Sequence, residues 1–128
     1  MKVLVLSNGE LKVKEIDNTL EALQKIVGGY IEIPYLSEVF VKNGIDVIIN
    51  DEGKFIEGMK PEIAIVKDGT NEVLDVVMGN RIFASHNDEG DTVSLNEVQI
   101  MIVQNELKML AGLTMNGKQY IVKVLTIW

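Results

Sequence analysis

Cysteine is absent from this chain, which excludes a disulfide framework, a thiol nucleophile and a thiolate metal site. Histidine occurs once, at His86, so an imidazole-rich metal centre has no second ligand. Arginine also occurs once, at Arg81. Lysine and arginine together number 12 against 19 aspartates and glutamates, for a net charge of −7. Binding duplex nucleic acid takes clustered cations that displace counterions, so that class is excluded. A small anionic ligand held by one or two local cations is still allowed. No apolar run approaches the ~18 residues that span a bilayer. The opening Met1-Lys2-Val3-Leu4-Val5-Leu6 breaks at Ser7-Asn8-Gly9, so a soluble, non-secreted protein away from membranes is expected.

Proline is scarce, with 2 residues, while 47% of the 128 residues are hydrophobic. That is a folding composition, and its length predicts one domain over 1–128. Residues 2 to 6 and 11 to 16 read as a hairpin around Asn8-Gly9, which supplies the positive φ of a tight turn. Asn18 and Glu21 have capping-box spacing, and Leu20, Leu23, Ile26 and Val27 predict a helix over 19 to 27. Gly28 is its natural left-handed cap. Gly29 has no capping duty, so it is expected to allow close approach of a backbone or a ligand.

Strands are predicted over 30 to 33, 62 to 66, 73 to 78, 81 to 86 and 119 to 128. Residues 39 to 42 and 45 to 49 flank Asn43-Gly44 as a second hairpin, and 50 to 53 form a turn. Ser94 and Glu97 repeat the capping-box spacing, and apolar residues at 95, 98, 102, 103, 107 and 110 outline a helix from 95 to 111. The whole is an α+β pattern: a single domain with a curved, mostly antiparallel β-sheet and two short-to-medium helices.

Several chemistries fail on spacing. Asp51-Glu52-Gly53 and Asp88-Glu89-Gly90-Asp91 lack the alternating ligands of a calcium loop and read as solvated turns. Ser85 and His86 point to opposite faces of one strand, so they cannot share a catalytic triad. Gly28-Gly29 follows a helix instead of opening one, so it is no phosphate loop. Carboxylates such as Glu62 and Asp68 cannot be paired from sequence. Met59, Met78, Met101, Met109 and Met115 read as gap-filling core. No metal site and no cofactor are expected.

One constellation stands out. On a strand from 81 to 86, Arg81, Phe83 and Ser85 share one face, while Ile82, Ala84 and His86 share the other. A guanidinium grips phosphate bidentately and an aromatic ring stacks on a nucleobase for ~1–3 kcal/mol. Asn87 and Asp88 follow, with groups that accept from ribose hydroxyls or a base edge. Two readings of this row stand: a ligand face, or Phe83 in the core with Arg81 on a solvated rim.

Four segments carry a resemblance: Leu20-Glu21-Ala22-Leu23-Gln24-Lys25-Ile26-Val27-Gly28-Gly29-Tyr30-Ile31-Glu32, Asn50-Asp51-Glu52-Gly53-Lys54, Gly79-Asn80-Arg81-Ile82-Phe83-Ala84-Ser85-His86-Asn87-Asp88-Glu89-Gly90-Asp91 and Ser94-Leu95-Asn96-Glu97. In order and spacing, over roughly residues 2 to 100, the chain resembles a family of small phage and prophage proteins classed as a domain of unknown function. Within that set it is similar to the anti-defence sponges that antagonise the Thoeris system. The resemblance implies a protein that is not an enzyme. It would bind and sequester a cyclic ADP-ribose isomer made by a bacterial TIR-domain enzyme, in the cytoplasm of the infected host. Some such sponges hold a cyclic oligonucleotide at separate sites, and they assemble as homo-oligomers, dimers or hexamers. The resemblance further implies a stacking aromatic, for which Phe83 stands, and phosphate-gripping arginines, for which Arg81 stands alone. Lysines 25, 108 and 118 would then substitute as point charges.

The ligand-binding residues expected on these grounds are Arg81, Phe83, Ser85, Asn87, Asp88, Gly29 and Lys108. Two alternatives belong to other classes. One is an acidic protein–protein antagonist of a host enzyme, and the other a small metal-dependent nucleotide hydrolase using the 88 to 91 loop. Self-association is expected from Ile100 and Met101 outside the helix stripe, and from a last strand that is apolar on both faces.

Overall fold

A computed structural model describes residues 1–52, 59–70 and 72–127, with side chains to 126. Gly53 and Lys54 of the second segment, Asn71 of the loop after 67 and Trp128 of the final strand lie outside the described residues. Among the described residues, the chain forms an α+β domain with three helices and ten strands in two mostly antiparallel sheets.

The first sheet grows from the predicted hairpin. Strands β1 (Lys2–Ser7) and β2 (Glu10–Glu15) pair in full register around Asn8 at φ 53° and Gly9 at φ 77°, which is the mirror-image turn an Asn-Gly pair favours. Helix α1 (Leu20–Val27) leads to β3 (Ile31–Glu32), and helix α2 (Glu38–Lys42) to β4 (Ile45–Asn50). Strand β7 (Arg81–His86) enters between β1 and β4, giving the order β2-β1-β7-β4-β3, and β8 (Thr92–Val93) pairs with the end of β7. The second sheet runs β6-β5-β10-β9, built from β5 (Pro61–Lys67), β6 (Val73–Met78), β9 (Leu110–Met115) and β10 (Lys118–Ile127). Its β5–β10 pair is parallel. Helix α3 (Glu97–Glu106) links β8 to β9.

Strand alternation sorts the apolar residues into two layers. Val3, Val5, Ile48, Ile82 and Ala84 meet Leu23 and Val27 of α1 on one face of the first sheet. Leu4, Leu6, Val47 and Phe83 turn the other way, onto Ile63, Ile65 and Leu125 of the second sheet and onto α2 and α3. The middle strands are thus buried on both faces, which is why they read as nearly continuous apolar runs.

Two expectations are corrected. Residues 39 to 42 are not a hairpin strand but helix α2. Ser37 caps it by accepting from Phe40 N at 3.3 Å, and Lys42 pairs with Glu38 at 3.1 Å. Phe40 then packs edge-on against Phe83, centroids 5.8 Å apart, and this burial overrides the β-propensity of Val-Phe-Val. The 95 to 111 helix is shorter, because the capping box is made by Asn96 and Gln99, while Ser94 Oγ accepts from Lys2 N instead. Residues 110 and 111 belong to β9, a strand that the helical spacing concealed. Val98, predicted for the buried stripe, is exposed, as are Met101 and Met109. Strand β10 lies between β5 and β9, with Val122 and Leu125 buried and Ile121 exposed.

Phe83 has no exposed surface. Phe83→Ala is therefore expected to cost ~3–5 kcal/mol in urea unfolding, as for other large aromatic truncations in a core. A cost below about 1 kcal/mol would contradict this packing.

Candidate functional site

The predicted parity of β7 holds: Arg81, Phe83 and Ser85 lie on one face and Ile82 and Ala84 on the other. That face, however, points into the protein. Phe83 is walled in by the core and cannot stack on a base, which corrects its expected role. Ser85 Oγ donates to Gly44 O at 2.9 Å and accepts from Gln99 Nε2 at 3.0 Å, tying α3 to the turn before β4. Asn87 Oδ1 accepts from Glu89 N and Asp91 N, closing its own turn, and Asp88 sits exposed at the tip. At about 3.3 Å per residue, these two are roughly 20 Å along the strand from Arg81. Lys108 is exposed between α3 and β9. Beyond Arg81, the expected set is not brought together.

Arg81 is neither a rim residue nor a simple core residue. Its side chain has no exposed surface. Nε donates to Gly79 O at 3.3 Å, and Nη2 to Met78 O at 2.7 Å and Gly79 O at 2.8 Å. Nη1 is buried with no hydrogen-bond partner among the described residues. Burial pulls the guanidinium pKa down to about 9, against the opposing pull of Glu62, so it is still charged at neutral pH. Glu62, 2% exposed, sits in the same interior; its Oε1 accepts from Asn8 N at 2.8 Å and Oε2 from Gly9 N at 2.9 Å.

Arg81 also lines a cleft of about 250 Å³. Residues of both sheets border it: Val47 and Ile49 from β4, Ile65 from β5, Val77 and Met78 from β6. The chain before α2 adds Pro34, Tyr35 and Leu36, with the Tyr35 ring 71% exposed. Three carboxylates, Glu32, Asp51 and Asp75, complete the lining. The described lining contains no Ser, Thr, His or Lys side chain. Chemically, the cleft is bordered by a buried guanidinium with one unpartnered nitrogen, by apolar walls, by an exposed aromatic residue and by carboxylates that accept from hydroxyl or ammonium groups. Sequence reading missed Tyr35, Glu32, Asp51 and Asp75, because strands far apart in the chain assemble the cleft.

Gly29 stands beside the cleft rather than in its lining. A Cβ there would lie 2.8 Å from Asn50 Nδ2, so the close approach it permits is to the protein's own side chain. Asn50 is buried, donates to Val27 O at 3.2 Å and accepts from Glu52 N at 2.8 Å. Asn80 Nδ2 reaches Ile26 O at 3.3 Å, so two asparagines satisfy carbonyls at the end of α1. Gly29→Ala must displace Asn50, and a loss of ~1–3 kcal/mol in unfolding stability is expected. An unchanged melting curve would show that Asn50 yields freely.

Residues 1–117 match the model of a protein family described as a domain of unknown function (DUF3846), and the chain belongs to that family. No curated protein and no solved structure matches it.

Proposed function

We propose that this DUF3846 member is a binding protein that sequesters a nucleotide-type signal in the Arg81 cleft and leaves it chemically unchanged. The observation that carries the reading is the buried, unpartnered Nη1 of the sole arginine, at a cleft. A buried charged donor without an acceptor costs free energy, and an anionic ligand relieves that cost with a charge-assisted hydrogen bond. The phosphate goes to Arg81, the base lies against the apolar wall and Tyr35, and Glu32 and Asp51 accept from ribose hydroxyls. The resemblance to phage anti-defence sponges supports a cyclic ADP-ribose isomer as that nucleotide, held in the cytoplasm of an infected host. A cyclic oligonucleotide would need a further site.

Self-association belongs to the same proposal. Val98, Met101, Leu110 and Ile121 are each more than half exposed, which is costly for a lone 128-residue chain. Light scattering at micromolar concentration is expected to give a dimer or hexamer; a 14.2 kDa particle would contradict it.

Calorimetry against cyclic ADP-ribose isomers and cyclic di- and trinucleotides tests the ligand. Recovery after heat denaturation tests turnover: an intact nucleotide supports sequestration, a cleaved one a hydrolase, and an undepleted solution the protein antagonist. Tyr35→Ala is expected to weaken binding by ~1–3 kcal/mol at unchanged melting temperature. Arg81→Lys retains charge but loses the planar fork, and should weaken binding at least as much. Full affinity in both variants would contradict the site.

A further inference from the structure

Buried charges usually meet in an ion pair, but Arg81 and Glu62 do not. Each carboxylate oxygen of Glu62 is occupied by a backbone N–H of the β1–β2 turn. None of the hydrogen bonds of Arg81 goes to Glu62; all go to the Met78 and Gly79 carbonyls. The mirror-image turn explains the first fact, since its two consecutive N–H groups make a small anion-binding concavity. The second fact leaves Nη1 unspent. A direct ion pair would consume the donor that the cleft needs.

We propose that Glu62 is a positioning residue for the cleft: fastened by the β1–β2 turn, its carboxylate supplies Arg81 with a counter-charge while leaving the buried Nη1 without a protein acceptor, for the ligand's anion to fill. This rests on the sequestration reading, because an open donor has use only if something binds it. Geometry puts the two side by side: the turn that holds the carboxylate follows Leu6, the residue paired with Arg81, and among the described residues Glu62 favours the charged guanidinium against the effect of burial. The other ionisable groups around the cleft are Glu32 on β3, Asp51 just after β4 and Asp75 on β6. Lys60, whose carbonyl receives Gly79 N–H at 2.8 Å, is exposed.

Because Arg81 is the only arginine, its guanidinium gives a single assignable signal in nitrogen NMR. In the full chain that signal is expected to titrate near pH 9. In Glu62→Gln the counter-charge is gone, so the midpoint should fall by about one pH unit. Adenosine monophosphate, used as the probe, should lose its effect on the signal at a correspondingly lower pH. Glu62→Asp, with the charge drawn back by one methylene, should lie between the two. If Glu62→Gln does not fold, Glu62→Asp decides: a midpoint below wild type supports the assignment. A midpoint equal to wild type in the folded variants overturns it. If adenosine monophosphate leaves the wild-type signal unmoved while the midpoint still falls in Glu62→Gln, the counter-charge stands and the nucleotide reading fails.

Discussion

A guanidinium with no exposed surface constrains everything around it. Arg81 must be given acceptors, and the β6–β7 turn supplies them by directing the Met78 and Gly79 carbonyls inward. Gly79 adopts φ 81° to make that turn, a conformation that disfavours other residues. It must also be given a counter-charge, and Glu62 enters the apolar run of β5 for that purpose. The carboxylate in turn needs donors, and the β1–β2 turn offers two. Strands β5, β6 and β7 and two turns are therefore committed to one cation. A fold with no use for the charge would do better with a hydrophobic residue there.

The two-layer core leaves room for this arrangement where the two sheets meet. The first sheet is covered by α1 on one face and by the second sheet with α2 and α3 on the other. Strands β4 and β7 of the first sheet and β5 and β6 of the second border the cleft, with the chain before α2 beside it. Arg81 begins β7, so its donors lie at the strand end and not in mid-sheet. Ligand sites commonly occupy such junctions, because the side chains there are held by two rigid layers. The net charge of −7 makes the surroundings unwelcoming to anions in general, which gives the buried Arg81 cation a selective value.

Much of this architecture was legible in the residues. Asn8-Gly9 announced a hairpin, Gly28 closed α1, and the parity of 81 to 86 followed from the strand period alone. The single arginine was a usable signal for the site. What failed depended on contacts between distant segments. Val39, Phe40 and Val41 looked like strand until Phe40 found Phe83 across the core. Phe83 looked available for stacking because strand parity says which residues share a face, not whether that face meets solvent. Gly29 signalled a close approach, but only the position of Asn50 shows to what. One overlooked signal was local: a carboxylate at 62 inside Pro61-Glu62-Ile63-Ala64-Ile65, a run buried throughout, demands a partner.

The central claim is that the nucleotide's anion is held by Nη1 of Arg81. The most direct measurement follows the guanidinium nitrogen signals of Arg81 while a nucleotide that binds in calorimetry is titrated in. A saturable shift of the Nη1 signal is expected, with the dissociation constant that calorimetry gives. Calorimetric binding with the Arg81 signals unmoved through saturation would contradict it.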